Sequence, residues 1–226
     1  MRHVGNDIVD LLHPHAQGKS RDPQFRKRIF LPEEENLLLA DRQPDAMLWA
    51  LWTGKEAAYK AIQKDQLDIT SKPLLYKVAF DRAEVIEQAA EEFPRERRLF
   101  GTVATPRGSI HLDTLITSGY VHSIATSFAQ VAGTKIVGQV ERMPCDDPSP
   151  AYESFYVRAA AKMQLASYFP GSDPQDLDIR RDLGPHGLRP PSIYLRGKLT
   201  AIDISLSHDG VYAAYAFAIF ASSLSL

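Results

Sequence analysis

Gly119-Tyr120-Val121-His122-Ser123-Ile124-Ala125 is a weakly alternating run with β-branched residues, and it reads as a strand. A faint echo of it closes the chain. Gly210-Val211-Tyr212-Ala213-Ala214-Tyr215-Ala216 again sets a glycine ahead of an apolar stretch of small and aromatic side chains. In each half the echo follows an early helix and a set of turns and strands. The pairing predicts an α+β pseudodimer, two related lobes each made of a small antiparallel sheet packed with helices, with a crevice between them suited to a site. A Pro- and Asp-rich stretch, 138–151, reads as the linker, leaving 1–137 as the first lobe and 152–226 as the second.

The other elements fall outward from these two strands. Apolar spacing near 3.6 through Leu48, Leu51, Trp52, Ala58, Tyr59 and Ile62 predicts the strongest helix over 45–63. Leu31-Pro32-Glu33-Glu34-Glu35 reads as a helix start, with proline at the first position and acids on the positive end of the dipole. The run 3–12 reads as a buried strand carrying Asp7 and Asp10. Further strands are expected at 75–80, 99–104, 109–114 and 120–128. A second helix is expected over 152–169, stopped by Pro170-Gly171, and a final strand over 202–220.

Composition narrows the function classes. Apolar residues make up 44% and charged residues 24%, which excludes a disordered or fibrous chain. With 26 basic against 28 acidic residues the net charge is −2, so no basic field points to nucleic acid. The single cysteine, Cys145, excludes an intrachain disulfide and a multi-cysteine metal site, and fits a reducing cytoplasm. The longest apolar stretch, 211–221, is shorter than the roughly 20 residues of a membrane span.

Three clusters carry candidate chemistry. In Gly5-Asn6-Asp7-Ile8-Val9-Asp10, a carboxylate inside an apolar strand is costly unless paired or bound to metal, although a strand-end turn aspartate reads as well. In Trp52-Thr53-Gly54-Lys55-Glu56-Ala57-Ala58-Tyr59-Lys60, Glu56 and Lys60 are i,i+4 neighbours, either a solvated face or part of a site with small residues beside it. In Ser205-Leu206-Ser207-His208-Asp209-Gly210, hydroxyls and a histidine sit at a strand-to-turn junction where a phosphate could be held. Contiguous strand residues cannot form a Ser/His/Asp triad, and the usual nucleotide and zinc motifs are absent. Two carboxylates, two lysines and a histidine with hydroxyls are an inventory for a hard metal and a phosphate-rich ligand.

These three motifs, in this order, resemble those of the 4′-phosphopantetheinyl transferases. The likeness extends to 24–34 after the first motif, and to Arg158 and 184–193 before the third. The order matches the small homotrimeric holo-acyl-carrier-protein synthases. The length instead matches the two-lobed surfactin-synthetase-activating type, with its halves exchanged as in a circular permutation. The resemblance implies one complete site per chain, hence a monomer. It implies that Asp7 and Glu56 ligate Mg²⁺ with the pyrophosphate of coenzyme A, and that Lys60 and Lys55 neutralise the transferring phosphoryl group. Glu56 would be the base for a serine of an apo acyl or peptidyl carrier protein. Ser207 and His208 would hold coenzyme A phosphate, and Arg158 and Arg189 its 3′-phosphate or adenine side. Val9 stands where two-lobed members often carry a further acidic ligand, and their basic pair upstream of Arg158 has no counterpart in 146–155. Carrier proteins are generally acidic, so the basic segment Arg21, Arg26, Lys27 and Arg28 is the expected docking surface; a solvated charge run is the plain alternative. Two other activities remain open: a non-catalytic module binding coenzyme A or a carrier, and a Mg²⁺-dependent phosphohydrolase.

Overall fold

The strand β1, Val4–Asp10, lies against the backbone of the long helix of its lobe, and glycine is what permits it. A Cβ on Gly5 would stand 2.0 Å from the carbonyl oxygen of Ala57. The facing helix residues Ala57, Ala58 and Ala61 are fully buried, so small side chains on both partners bring strand and helix together. The computed structural model describes residues 2–86, 96–129, 133–169, 171–184 and 187–220.

After β1 come three helices, α1 (Pro23–Ile29), α2 (Pro32–Ala40) and α3 (Pro44–Ile62), each with proline in its first turn. Four strands follow: β2 (Lys77–Ile86), β3 (Glu96–Thr105), β4 (Gly108–Ile116) and β5 (Tyr120–Thr126). The chain then enters β6 (Thr134–Arg142) and α4 (Pro150–Ala166), capped by the Ser149 hydroxyl. Short strands β7 (Leu177–Arg180), β8 (Leu183–Gly184), β9 (Gly187–Leu188) and β10 (Ser192–Leu195) lead to the hairpin β11 (Lys198–Asp209) and β12 (Tyr212–Phe220).

Two antiparallel five-stranded sheets result, ordered β1-β5-β4-β3-β2 and β6-β12-β11-β10-β7. Both orders have one plan: first strand at the edge, last strand beside it, then the middle strands in reverse. β5 and β12, the two echoing segments, occupy the same place in their sheets. Each lobe buries its own core. In the first, α3 packs Leu48, Leu51 and Ala58 among Val78, Leu99, Val103, Leu112 and Val121. In the second, α4 packs Val157, Ala161 and Leu165 among Ile179, Ile193, Ile204 and Phe217.

The lobes meet along a seam between β1 and β11–β12. Val4 packs on Ala216 and Ala218, the Tyr120 and Tyr212 rings stand 5.0 Å apart, and Phe128 meets Phe220 at 5.4 Å. β1 is an edge strand, and three of its outward N–H groups are capped by side chains from one face of β11. Val4 donates to Asp203 (2.6 Å), Asn6 to Ser205 (2.9 Å) and Asp10 to Asp209 (2.8 Å). Lys64 adds a further tie, donating to Asp203, to the Val4 carbonyl and to the Ile204 carbonyl.

Several expectations need correction. The second sheet opens at Thr134, so 138–142 is strand rather than linker, and the connection between strand and helix is the shorter stretch 143–149. Gly138, which read as loop, is there because a Cβ would lie 2.2 Å from Ile124 across the seam. The expected single strand 202–220 is a hairpin turning at Gly210, whose φ of 54° suits glycine. β2 runs six residues past the expected end at 80, through a bulge between Phe80 and Arg82. The stop at Pro170 and the end of the expected second lobe, 221–226, lie outside the described residues, as does 87–95.

Candidate active site

Strand alternation and helix pitch together decide what faces the crevice. On β1, Gly5 and Asp7 turn toward α3, while Asn6 turns toward the other lobe. Asp7 Oδ1 accepts from Lys60 Nζ at 2.7 Å, and the same ammonium donates to the Asn6 carbonyl at 3.1 Å. Burial pushes the Asp7 carboxyl above its ordinary range, against the pull of Lys60. Glu56, one turn before Lys60, is half-buried and raised to about 7 by desolvation and by the neighbouring Asp7 charge, with Lys60 opposing. Two carboxylates thus sit close enough to repel each other, with the Lys60 ammonium bound to Asp7 and lowering the pKa of both.

A cleft of about 520 Å³ opens beside this pair, lined from the first lobe by Asp7, Tyr59, Lys60 and Lys64. From the second lobe come Ser207 and His208 at the end of β11, Ser154 and Arg158 on α4, and Arg181 just after β7. His208 Nδ1 pairs with Glu153 Oε2 at 3.2 Å. Ser207 Oγ accepts from Asn6 Nδ2 at 2.9 Å, and that amide also meets His122 Nε2 at 3.2 Å. Full burial depresses His122 to about 3, so its ring is neutral and belongs to the floor of the seam. Arg158 is held by the Ser154 carbonyl and hydroxyl. Arg181 is held by the carbonyls of Leu188 and Arg189.

Of the residues expected here, Asp7, Lys60, Arg158, Ser207 and His208 line one cleft; Glu56 is not among the lining residues and is tied to the site through the charge of Asp7. Lys55 is a correction. It is 1% exposed and donates to Glu34 (2.7 Å) and to the carbonyls of Pro73 and Tyr76, so it locks α2 and the start of the sheet onto α3, away from the cleft. Arg189 is exposed and absent from the lining; its backbone carbonyl instead secures Arg181, which does line the cleft. Asp10 is also structural: its carboxylate accepts from the N–H groups of Leu12 and Val211. Glu153 and Arg181 gave no motif in the sequence. The one signal was the adjacent basic pair Arg180-Arg181, of which Arg180 turns instead onto the Tyr194 ring.

A second groove, about 700 Å³, is lined by strands of the first sheet and by Ile136 and Gly138 of β6. Its cations are already engaged: Arg98 grips Asp113 through two hydrogen bonds, and Arg82 covers the Phe100 ring beside Glu84. The smaller cleft differs in offering Arg158 and Arg181 with no carboxylate partner among the described residues.

Among the described residues no three His, Cys, Asp or Glu side chains form a metal-ligand cluster. Asp7 and Glu56 nevertheless fit a hard divalent ion, since Mg²⁺ uses one or two carboxylates and fills its shell with water and phosphate oxygens. Two mutually repelling, desolvated carboxylates also favour added positive charge. No helix of the described residues is long and apolar enough to cross a membrane.

No individual curated protein matches the chain. A family model for the 4′-phosphopantetheinyl transferase superfamily matches residues 3–125, more than half of the 226, a span that takes in both the Asp7 strand and the Glu56–Lys60 helix. With that match and an antiparallel α+β fold in two sheets, the chain belongs to the 4′-phosphopantetheinyl transferase superfamily.

Proposed function

We propose that this protein transfers the 4′-phosphopantetheine group of coenzyme A to a serine of an apo acyl or peptidyl carrier protein, releasing 3′,5′-ADP. The observation that carries the reading is a single cleft in which Asp7 and Lys60 face His208, Ser207, Arg158 and Arg181 across the seam, with Glu56 near enough to Asp7 to feel its charge. In the reaction the serine Oγ bonds to the β-phosphorus of coenzyme A. The bond from that phosphorus to the bridging oxygen breaks, and 3′,5′-ADP departs with the electron pair.

Asp7 and Glu56 would hold Mg²⁺, which when bound supplies charge neutralisation on the pyrophosphate. Glu56, directly or through water, accepts the serine proton. Lys60 is set on Asp7 at 2.7 Å, where its charge can follow the transferring phosphoryl group. On the opposite wall His208, Ser207, Arg158 and Arg181 bind the phosphates and fix the nucleotide end, which orients the β-phosphorus toward the first lobe. Because both walls come from one chain, the reading needs no second subunit.

For carrier docking the basic segment is smaller than expected. Arg26 is tied to Glu35 (2.7 Å) and to the Ser20 carbonyl (2.5 Å), so it braces α1, while Arg21, Lys27 and Arg28 remain exposed for an acidic partner. The test is to mix the protein with coenzyme A, Mg²⁺ and an apo carrier and weigh the carrier. A gain of about 340 Da is expected for a covalently attached group. Release of 3′,5′-ADP with an unchanged carrier would make the protein a phosphohydrolase, and neither product would leave a binding module.

A further inference from the structure

α4 does more in the cleft than contribute Arg158. Its first turn carries Glu153, the helix's one carboxylate, and that side chain meets His208 Nδ1 on β11 at 3.2 Å. The carboxylate is 15% exposed and the imidazole 35%, so the pair stands behind the cleft wall with the ring as its exposed member. No other described residue partners the ring, so Nε2 is the nitrogen left for a ligand. An imidazole that donates to an anion through Nε2 must carry a proton there, and its second proton then faces the carboxylate across the Nδ1 contact, which holds the ring plane. Without it the ring could turn about its side-chain bonds and present either nitrogen.

We propose that Glu153 is a positioning residue that holds the His208 ring through Nδ1, so that Nε2–H of the protonated ring is directed at a phosphate oxygen of the bound ligand. This rests on the reading that the cleft takes coenzyme A. Ser154 does the same service for Arg158, holding it through both its carbonyl and its hydroxyl. Adjacent residues of one helix turn therefore hold two of the cleft's anion-binding groups in advance, so less ordering is left to the moment of binding. A carboxylate in the first helical turn also favours the helix dipole, and the experiment separates the two roles.

The test compares wild type with Glu153→Ala and Glu153→Gln by ¹⁵N spectroscopy of the His208 ring, assigned by its loss in His208→Gln. The amide spectrum of each variant reports whether it is folded. Wild type is expected to show the Nδ1–H form when the ring is neutral, Glu153→Gln to keep it through its amide oxygen, and Glu153→Ala to lose it. In carrier assays Glu153→Ala should raise the KM for coenzyme A about tenfold with kcat changed much less, and Glu153→Gln should restore most of the loss. An unchanged ring tautomer in folded Glu153→Ala overturns the inference, as does a fall in kcat with KM unmoved. Wild type that binds no coenzyme A overturns the functional reading instead, and the ring spectra still decide whether Glu153 sets the imidazole.

Discussion

The two lobes share a strand order and differ in what that order displays. Counted from the facing Tyr120 and Tyr212, the position of Asp7 on β1 corresponds to Gln139 on β6. α3 carries Glu56 and Lys60 beside its strand, whereas α4 spends its one carboxylate on His208. One lobe therefore offers carboxylates and an ammonium held on Asp7, and the other offers imidazole, hydroxyl and guanidinium groups. Duplicated scaffolds need not duplicate a site. Here the copies have become complementary halves, and the cleft exists because they face each other.

If that division is right, the lobes respond differently to matched substitutions. Glu56→Gln should lower kcat by about 10²–10⁴-fold, the span expected on losing a general base, while coenzyme A still binds. The corresponding change on the other strand, Gln139→Ala, should alter activity less than about twofold, as an exposed position does. Comparable losses at both would show that the second lobe holds a working site of its own.

Arg181→Ala should raise the KM for coenzyme A about tenfold with kcat nearly intact, since it removes a charged hydrogen-bond donor from the ligand wall. Arg189→Ala should do less, because its contribution to the cleft is a backbone carbonyl that alanine retains. A larger effect at Arg189 would reverse the assignment made from the cleft lining.

The seam itself should be acid-sensitive. His122 titrates near 6.5 when unfolded and near 3 in the buried site, so between those values the unfolded chain binds more protons and stability falls as pH drops. The slope approaches about 1.4 kcal/mol per pH unit for one proton. His122→Gln removes that proton, and its urea midpoint should fall less steeply from pH 6.5 to 4.5. Identical slopes would mean the ring is not buried neutral. The smallest effect is expected at the rim: Arg28→Glu should raise the KM for an acidic carrier several-fold and leave that for coenzyme A unchanged, with both unchanged if carriers dock elsewhere.

Much of this was readable from residue order. The strong periodicity of 45–63 lands within a residue of α3, and the glycine-led echo identifies equivalent strands in both sheets. What sequence could not supply were partners distant in the chain. Lys55 and Lys60 stand in one charged helix motif, yet Glu34 draws the first into the core and Asp7 the second to the cleft. Spacing alone does not distinguish them. Gly138 read as loop because its reason, the methyl of Ile124, belongs to the opposite lobe. Glu153 and His208 lie 55 positions apart, and only the packing of α4 on β11 joins them.

The most direct measurement is the structure of a crystal grown with coenzyme A and Mn²⁺ in place of Mg²⁺, using the anomalous signal to locate the ion. The account predicts one ion per chain, shared by Asp7 and Glu56, with the ligand's pyrophosphate beside it and its nucleotide end against His208, Arg158 and Arg181. An ion bound away from both carboxylates, or a second ligand at the Gln139 position of the other lobe, would contradict it.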